Sequence, residues 1–213
     1  MTTFFALDAI STTDVDGKVR RPLTCSPTWS KRRMSNSTDQ LAEPMIGDGC
    51  RAEPLAEAHR DRLRAACAED PDIWAIYYIS YAPADFDASF DALLRRPWVP
   101  FALFEGDAFV GMSCYINIDD GRQTLEIGST YYRPAFRGMG FNRRCKDMMM
   151  RHAFDRGYRR IEFRVDSRNQ RSQAAMKKLG AVREGVMRAD RITWNGHVRD
   201  TVLFAILKDE WPA

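Results

Sequence analysis

Hydrophobic and polar positions begin to recur with a usable period near Gly49. There CRAEPL reads as a short strand, and the AEAHRDRLRAACAED that follows places Leu63, Ala66 and Cys67 on one helical face, with Pro71 marking the end of that helix. A second helical pattern, DFDASFDALLRR, carries Phe86, Phe90, Leu93 and Leu94 on one stripe. Asp85 or Asp87 stands near its start and Arg95 and Arg96 at its end, the polarity that the helix dipole favours. PFALFEG and AFVGMSCYINIDDGRQTLEIGSTYY then predict two or three strands of an antiparallel meander, with turn chemistry at Gly106-Asp107 and Asp119-Asp120-Gly121.

After Tyr132 the period switches to 3.6. Phe141, Cys145, Met148, Met149, His152 and Ala153 form an apolar stripe on a helix ending near Gly157, while Arg143, Arg144, Lys146 and Arg151 take its other faces. RRIEFRVDS alternates as a strand with Ile161, Phe163 and Val165 on one side, and NQRSQAAMKKLG is a short helix closed by Gly180. MRADRITW, an Asn195-Gly196 turn and VRDTVLFAIL make a hairpin. Strand, helices, antiparallel strands, helix, strand, helix, hairpin is the order of an α+β (mixed α/β) domain. Residues 1–40 show no sustained period and are rich in Ser, Thr, Asp and Arg, which predicts a flexible N-terminal extension before one folded domain over 41–213. An upstream start codon, with Met34 or Met45 as the true start, would give the same pattern.

Composition narrows the class. A chain of 213 residues with 45% hydrophobic and 29% charged positions suits one soluble domain. No window approaches the roughly 18 to 20 consecutive apolar residues of a membrane span, and no secretory pattern opens the chain, so a cytoplasmic protein is expected. Five scattered cysteines without a CxxC pair suggest neither a disulfide framework nor a metal site.

Charge changes the picture more. From Arg133 to Arg183 there are 15 Arg or Lys against 4 acids, a net of +11 that leaves −8 for the rest of a +3 chain. A polyanionic ligand is expected there unless the charges only solvate helix faces. Between strand and helix the same region carries PAFRGMG. Such a turn offers backbone N–H groups at a helix N-terminus, where no intrahelical acceptor exists, and Gly138 and Gly140 let the backbone approach a phosphate. Neither GxxxxGK[ST] nor GxGxxG is present.

The succession EIGSTYYRPAFRGMGFN, AFDRGYRRIEFRVDSRNQRSQAAMKKLGAVREGVMR and NGHVRDTVLFAILKDEW resembles the GCN5-related N-acetyltransferases, more narrowly the branch that acetylates ribosomal-protein N-termini, over roughly residues 49 to 211. The resemblance implies a central mixed sheet, mostly antiparallel, with a splayed parallel pair that admits acetyl-CoA as cosubstrate. It implies that Thr130, Tyr131 and Tyr132 border pantetheine, that the backbone of Arg137, Gly138, Met139, Gly140, Phe141 and Asn142 holds pyrophosphate, and that Asn169 touches the coenzyme. Lys177 and Lys178 could reach its phosphates or only solvate their helix. One departure is Ala135, at a position where the family usually has Gln or Arg; Arg137 is the candidate to compensate.

Acetyl transfer to an amine needs a base, a polarised thioester carbonyl and a proton for the thiolate. Glu126 is the candidate base, against the alternative of an exposed strand carboxylate. Ser172 matches the family's proposed acid for the thiolate, against a helix-capping role, and Met176 excludes a tyrosine acid at its position. His152 reads as a core histidine. The expected activity is direct transfer of acetyl in a ternary complex to a primary amine, either a protein N-terminus or a small amine. Acidic residues such as Asp70, Asp72, Asp85, Asp87 and Asp91 would favour a cationic acceptor, unless they only line helix surfaces. Two rivals stay open: a catalytically silent acyl-CoA sensor, and a nucleic-acid-binding module using the 133–183 face, against which the few interleaved aromatics weigh. The resemblance also allows a homodimer.

Overall fold

A computed structural model describes residues 37–211, and the predicted extension up to Asn36, with Cys25 and Met34, lies outside them. Eight strands form one sheet in the order β1-β2-β3-β4-β5-β6-β8-β7. They are β1 Met45–Gly47, β2 Cys50–Pro54, β3 Val99–Glu105, β4 Ala108–Asp119, β5 Thr124–Tyr132, β6 Arg160–Asp166, β7 Val182–Ile192 and β8 Val198–Leu207. Regular structure therefore starts before Gly49, with β1 and a short helix α1, Ser37–Leu41. All neighbouring strands pair antiparallel except β5 and β6.

The helices cover both faces. α2 (Arg60–Ala68) and α3 (Phe86–Arg95) bury Leu63, Ala66, Cys67, Phe86, Phe90 and Leu93 against β3 and β4, whereas Leu94, placed on the stripe by periodicity, stands 39% exposed. α4 (Phe141–Asp155) and α5 (Gln170–Leu179) cover the opposite face through Phe141, Cys145, Met149, Met176 and Leu179. Pro71 does more than stop α2: it opens a 3-10 turn, Pro71–Ile76, that drives Trp74 into the core, where its ring stacks 4.9 Å from Tyr131. Proline's fixed φ and missing N–H suit that first position.

Two irregularities shape the centre of the sheet. Ile116 pairs with Glu126 and Asp119 with Thr124, so β4 carries one extra residue, at Asn117, whose φ is 50°. Met112 pairs with Tyr131 and Cys114 with Gly128, so β5 carries one at Ser129, whose φ is 48°. A bulge moves every later side chain to the other face. Leu125 and Ile127 accordingly join the α4 core, while Tyr131, of the same parity, joins the α2–α3 core.

Among the described residues the only parallel contact runs over Thr124↔Arg160, Leu125↔Ile161 and Glu126↔Glu162. Beyond Glu126 both strands continue, to Tyr132 and Asp166, without pairing, so they splay and leave strand backbone unpartnered by sheet.

Candidate active site

The mouth of the splay is a cleft of about 100 Å³ lined by Tyr77, Tyr78, Glu126, Thr130, Asn169 and Ser172 together with Arg164, Arg191 and Arg199. Fold topology thus brings together four of the residues singled out in the sequence: Glu126, Thr130, Asn169 and Ser172. Trp194 closes the rim, its indole N–H donating to the Trp74 carbonyl at 2.8 Å and tying the β7–β8 turn to the 71–76 turn.

Glu126 is 3% exposed, which removes the reading of a solvated strand carboxylate. The bulge at Asn117 aims its amide at the carboxylate, with Nδ2 donating to Oε2 at 2.6 Å, and Arg164 Nε lies 3.5 Å from the same oxygen. Burial outweighs both and pushes the Glu126 carboxyl up to about 7. Room for it comes from Gly128, where an added Cβ would stand 2.8 Å from Glu126 Oε1.

Asn169 caps α5, its Oδ1 accepting from the Ser172 N–H at 2.9 Å, and Ser172 is half-buried in the cleft wall. Capping is thus done by Asn169, so the Ser172 hydroxyl is not needed for it. Thr130 lines the cleft with its carbonyl accepting from the Tyr77 hydroxyl at 2.7 Å, while its own hydroxyl is bonded to Ser113 at 2.7 Å. Tyr131 and Tyr132 play a different part from Thr130. The Tyr131 ring is fully buried, with its hydroxyl donating to the Ala66 carbonyl at 2.6 Å, and Tyr132 packs edge-on against Phe141. Only their backbone faces the splay.

At the glycine turn, Gly138 (φ 79°) and Gly140 (φ 84°) are left-handed, Met139 is 74% exposed, and Phe141 is buried beneath. The Gly140 carbonyl accepts from the Arg143 and Arg144 N–H groups, so the helix bonds start there and the N–H groups of Phe141 and Asn142 emerge from the helix end. Those groups fit a phosphate. The Arg137 side chain does not replace the missing Ala135 contact: its guanidinium is bound by the Asp70 carboxylate, and its Nε donates to the Tyr132 carbonyl at 2.8 Å.

Ion pairing also corrects the charge picture. Arg133 pairs with Glu69, Arg144 with Glu105, Arg156 with Glu43 and Arg160 with Glu184, so the basic segment meets acids supplied by other elements. Among the described residues no ion pair engages Arg171, Lys177 or Lys178, all exposed on α5, and the same holds for Arg151, Arg159 and Arg183 elsewhere in the segment. Asp87 and Asp91 are held by Arg60, and Asp70 by Arg137, so these acids are committed to neighbouring arginines.

Sequence periodicity misplaced Lys146. It is 3% exposed, donates from Nζ to Thr130 Oγ1 at 2.7 Å and to Ser113 Oγ at 3.3 Å, and burial pulls its ammonium down to about 8. Met148, Met149 and Met150 in succession were the available signal, since three consecutive buried residues require a helix covered over most of its circumference. His152, in contrast, is the core histidine expected: stacked on Tyr115, with its Nδ1 3.3 Å from that hydroxyl. Replacing Lys146 by Met, which keeps the stem and leaves the Ser113 and Thr130 hydroxyls 2.7 Å apart to bond each other, is expected to stabilise the fold. Lowering the lysine from 10.5 to about 8 corresponds to roughly 3 kcal/mol of penalty in the folded state. That penalty is complete below pH 8 and disappears as pH rises towards 10.5, because the unfolded chain alone still binds the proton in between. Chemical denaturation of both proteins across that range checks it: a variant less stable at pH 7, or a gap that does not close, contradicts the account.

The acetyltransferase (GNAT) domain family model matches residues 51–182. The chain belongs to the GNAT acetyltransferases. Among solved structures, a T. thermophilus protein assigned as an acetyltransferase is 34% identical, covering 79% of this chain and 91% of that one, with a TM-score of 0.73. A GCN5-related N-acetyltransferase from Brucella melitensis is 28% identical, covering 81% of each chain at a TM-score of 0.74. Mycobacterium smegmatis RimJ in complex with CoA-disulfide is 20% identical, covers 80% of this chain and 88% of its own, has a TM-score of 0.65 and shares the fold. No curated protein matches the chain. Among the described residues no helix of this acetyltransferase is long and apolar enough to cross a membrane.

Proposed function

We propose that this GNAT acetyltransferase moves acetyl from acetyl-CoA to a primary amine by direct transfer in a ternary complex, in the cytoplasm, with Glu126 as base and Ser172 as acid. The observation that carries the reading is the buried Glu126 carboxyl, pushed up to about 7 at the point where β5 and β6 part. A carboxylate of that basicity, near half ionised at neutral pH, takes a proton from an arriving ammonium far better than an ordinary glutamate. Acetyl-CoA supplies the thioester-activated acetyl group when bound. The β6-facing edge of β5 beyond Glu126 and the N–H groups of Phe141 and Asn142 at the start of α4 suit its pantetheine and pyrophosphate, and Lys177 and Lys178 suit its 3′-phosphate. Ser172, which lines the same cleft from α5, hands its proton to the departing sulfur, which keeps base and acid on separate elements.

Two rival readings lose ground on the same observations. A silent sensor has no use for a buried, proton-binding Glu126, and a nucleic-acid face is weakened by the acids that pair with its arginines. Calorimetric titration with acetyl-CoA and with the dephospho-coenzyme tests the donor half. Micromolar binding that weakens without the 3′-phosphate is expected, and absence of binding at millimolar ligand overturns the proposal.

A further inference from the structure

Around the cleft, Asp166, Asp190 and Glu162 each accept close hydrogen bonds from a neighbouring arginine, whereas Arg199 meets a carboxylate only at long range. Asp166 is engaged by Arg168, from Nε at 3.0 Å and from a terminal nitrogen at 2.8 Å. Asp190 Oδ2 accepts from Arg191 Nε at 2.9 Å and from the Thr201 hydroxyl at 2.8 Å. Glu162 accepts from Arg160 at 3.0 Å and from Arg164 at 3.1 Å. The contact of Arg199 is long and shared. Its side chain is 5% exposed, it donates to the Arg164 backbone carbonyl at 3.0 Å, and its closest carboxylate oxygen, Asp166 Oδ2 at 3.9 Å, already serves Arg168. Its Nε has no hydrogen-bond partner among the described residues.

A guanidinium taken out of water without a matched anion is a cost that folding alone does not recover. Burial accordingly holds the Arg199 pKa below its ordinary value. Such a group is retained where an incoming anion completes the pair. Arg199 lines the same cleft as Glu126, and Arg191 stands beside it with its guanidinium 5.0 Å from the Tyr78 ring centre. The Tyr78 hydroxyl is likewise buried without a partner among the described residues. Donors therefore gather at the β8 side of the cleft and a proton acceptor at the β5 side.

Resting on the proposed transfer to an amine, we infer that the acceptor is an amino acid, its carboxylate held by Arg199 and Arg191 and its amine presented to Glu126. The anion site lies across β6 from the base, and both arginines line the same cleft of about 100 Å³ as Glu126. A peptide N-terminus, whose first carbonyl is a neutral amide, leaves Arg199 with only the distant Asp166 that it shares with Arg168. Of the acids considered as recognition for a cationic acceptor, Asp70, Asp87 and Asp91 are committed to Arg137, Arg60 and Arg64.

The test uses the full chain with acetyl-CoA and reads thiol release for the standard α-amino acids, their primary carboxamides, the amines left by decarboxylation, and short peptides. The best amino acid is expected to exceed its carboxamide by about tenfold or more in kcat/KM, the worth of a charge-assisted contact. Arg199→Gln is expected to raise KM for that acid about tenfold while moving KM for its carboxamide by less than about twofold. Arg199→Lys is expected to recover part of the preference, and Arg191→Gln, at a less buried site, to lose part of it, so the inference does not hang on one variant that could misfold. Carboxamides used as well as the acids, Arg199→Gln affecting both alike, or no transfer to any amino acid overturns it. The broader function falls only if peptides and amines without a carboxylate fail as well.

Discussion

Glu126→Gln is expected to lower kcat/KM by roughly 10²- to 10⁴-fold, the range of a lost general base, while leaving the protein more stable than the parent at pH 8. The two halves of that result have one cause. In the folded state the carboxyl is pushed from 4.5 up to about 7 by burial, against the pull of Arg164 and Asn117. Ionising it there costs roughly 3 kcal/mol relative to the unfolded chain. The sign follows from proton counts: between pH 4.5 and 7 the folded protein holds the proton and the unfolded one has released it, so stability falls as pH rises through that window. The cost is complete above pH 7 and absent below 4.5. Glutamine has the same shape, accepts from Asn117 through its amide oxygen and never ionises, so the stability difference is expected to grow from nothing at pH 4 to its full size at pH 8. Activity moves the opposite way, since the base works only when ionised. The parent is expected to show a limb in kcat/KM near pH 7 that the variant lacks on the same acceptor. Unchanged activity, or a variant less stable at pH 8, would show that Glu126 is structural.

The largest effect on folding is expected at Gly111. Its φ is 155°, and a Cβ added there would collide with the carbonyl oxygen of Tyr131 on the neighbouring strand. That oxygen is fixed by the β4–β5 pairing, in which Gly111 faces Tyr132 and Met112 faces Tyr131. Relief therefore requires the strands to separate at Tyr131 and Tyr132, just past the β5 bulge and within the splayed stretch. Gly111→Ala is expected to cost roughly 3 kcal/mol or more of stability and to weaken acetyl-CoA binding in whatever fraction stays folded. Gly185→Ala is the control, because nothing lies within 4 Å of its added Cβ. It is expected to stay within about 0.5 kcal/mol of the parent. Equal unfolding midpoints for the two variants would mean that the β4–β5 register is not held as described.

These effects reside in features that the sequence shows to different degrees. Alternation in RRIEFRVDS and the 3.6 period after Tyr132 marked β6 and α4 because one face of each is buried against a continuous core, and such burial writes itself into residue order. The glycine turn was legible for a similar reason: two left-handed positions before a helix ask for Gly138 and Gly140 whatever surrounds them. Motif order carried the family, and with it the expectation that Glu126, Thr130, Asn169 and Ser172 share a site.

What the sequence could not determine is whatever depends on two distant segments meeting. Lys146 reads as one more cation on a basic helix, and only the packing of α4 beneath the bulge of β5 buries it against Thr130 and Ser113. Arg137 looks free until Asp70, from the turn after α2, binds it. The +11 segment looks like an open anion site until Glu43, Glu69, Glu105 and Glu184 arrive from other elements. Arg199 sits in an ordinary strand pattern, and that its closest carboxylate, Asp166, is held more tightly by Arg168 emerges only in the fold. Local order fixes which residues turn inward, through backbone geometry and the hydrophobic period. Charge compensation is decided by Coulomb interactions and desolvation between neighbours in space, so the basicity of Glu126 and the weakly paired charge of Arg199 belong to the tertiary structure alone.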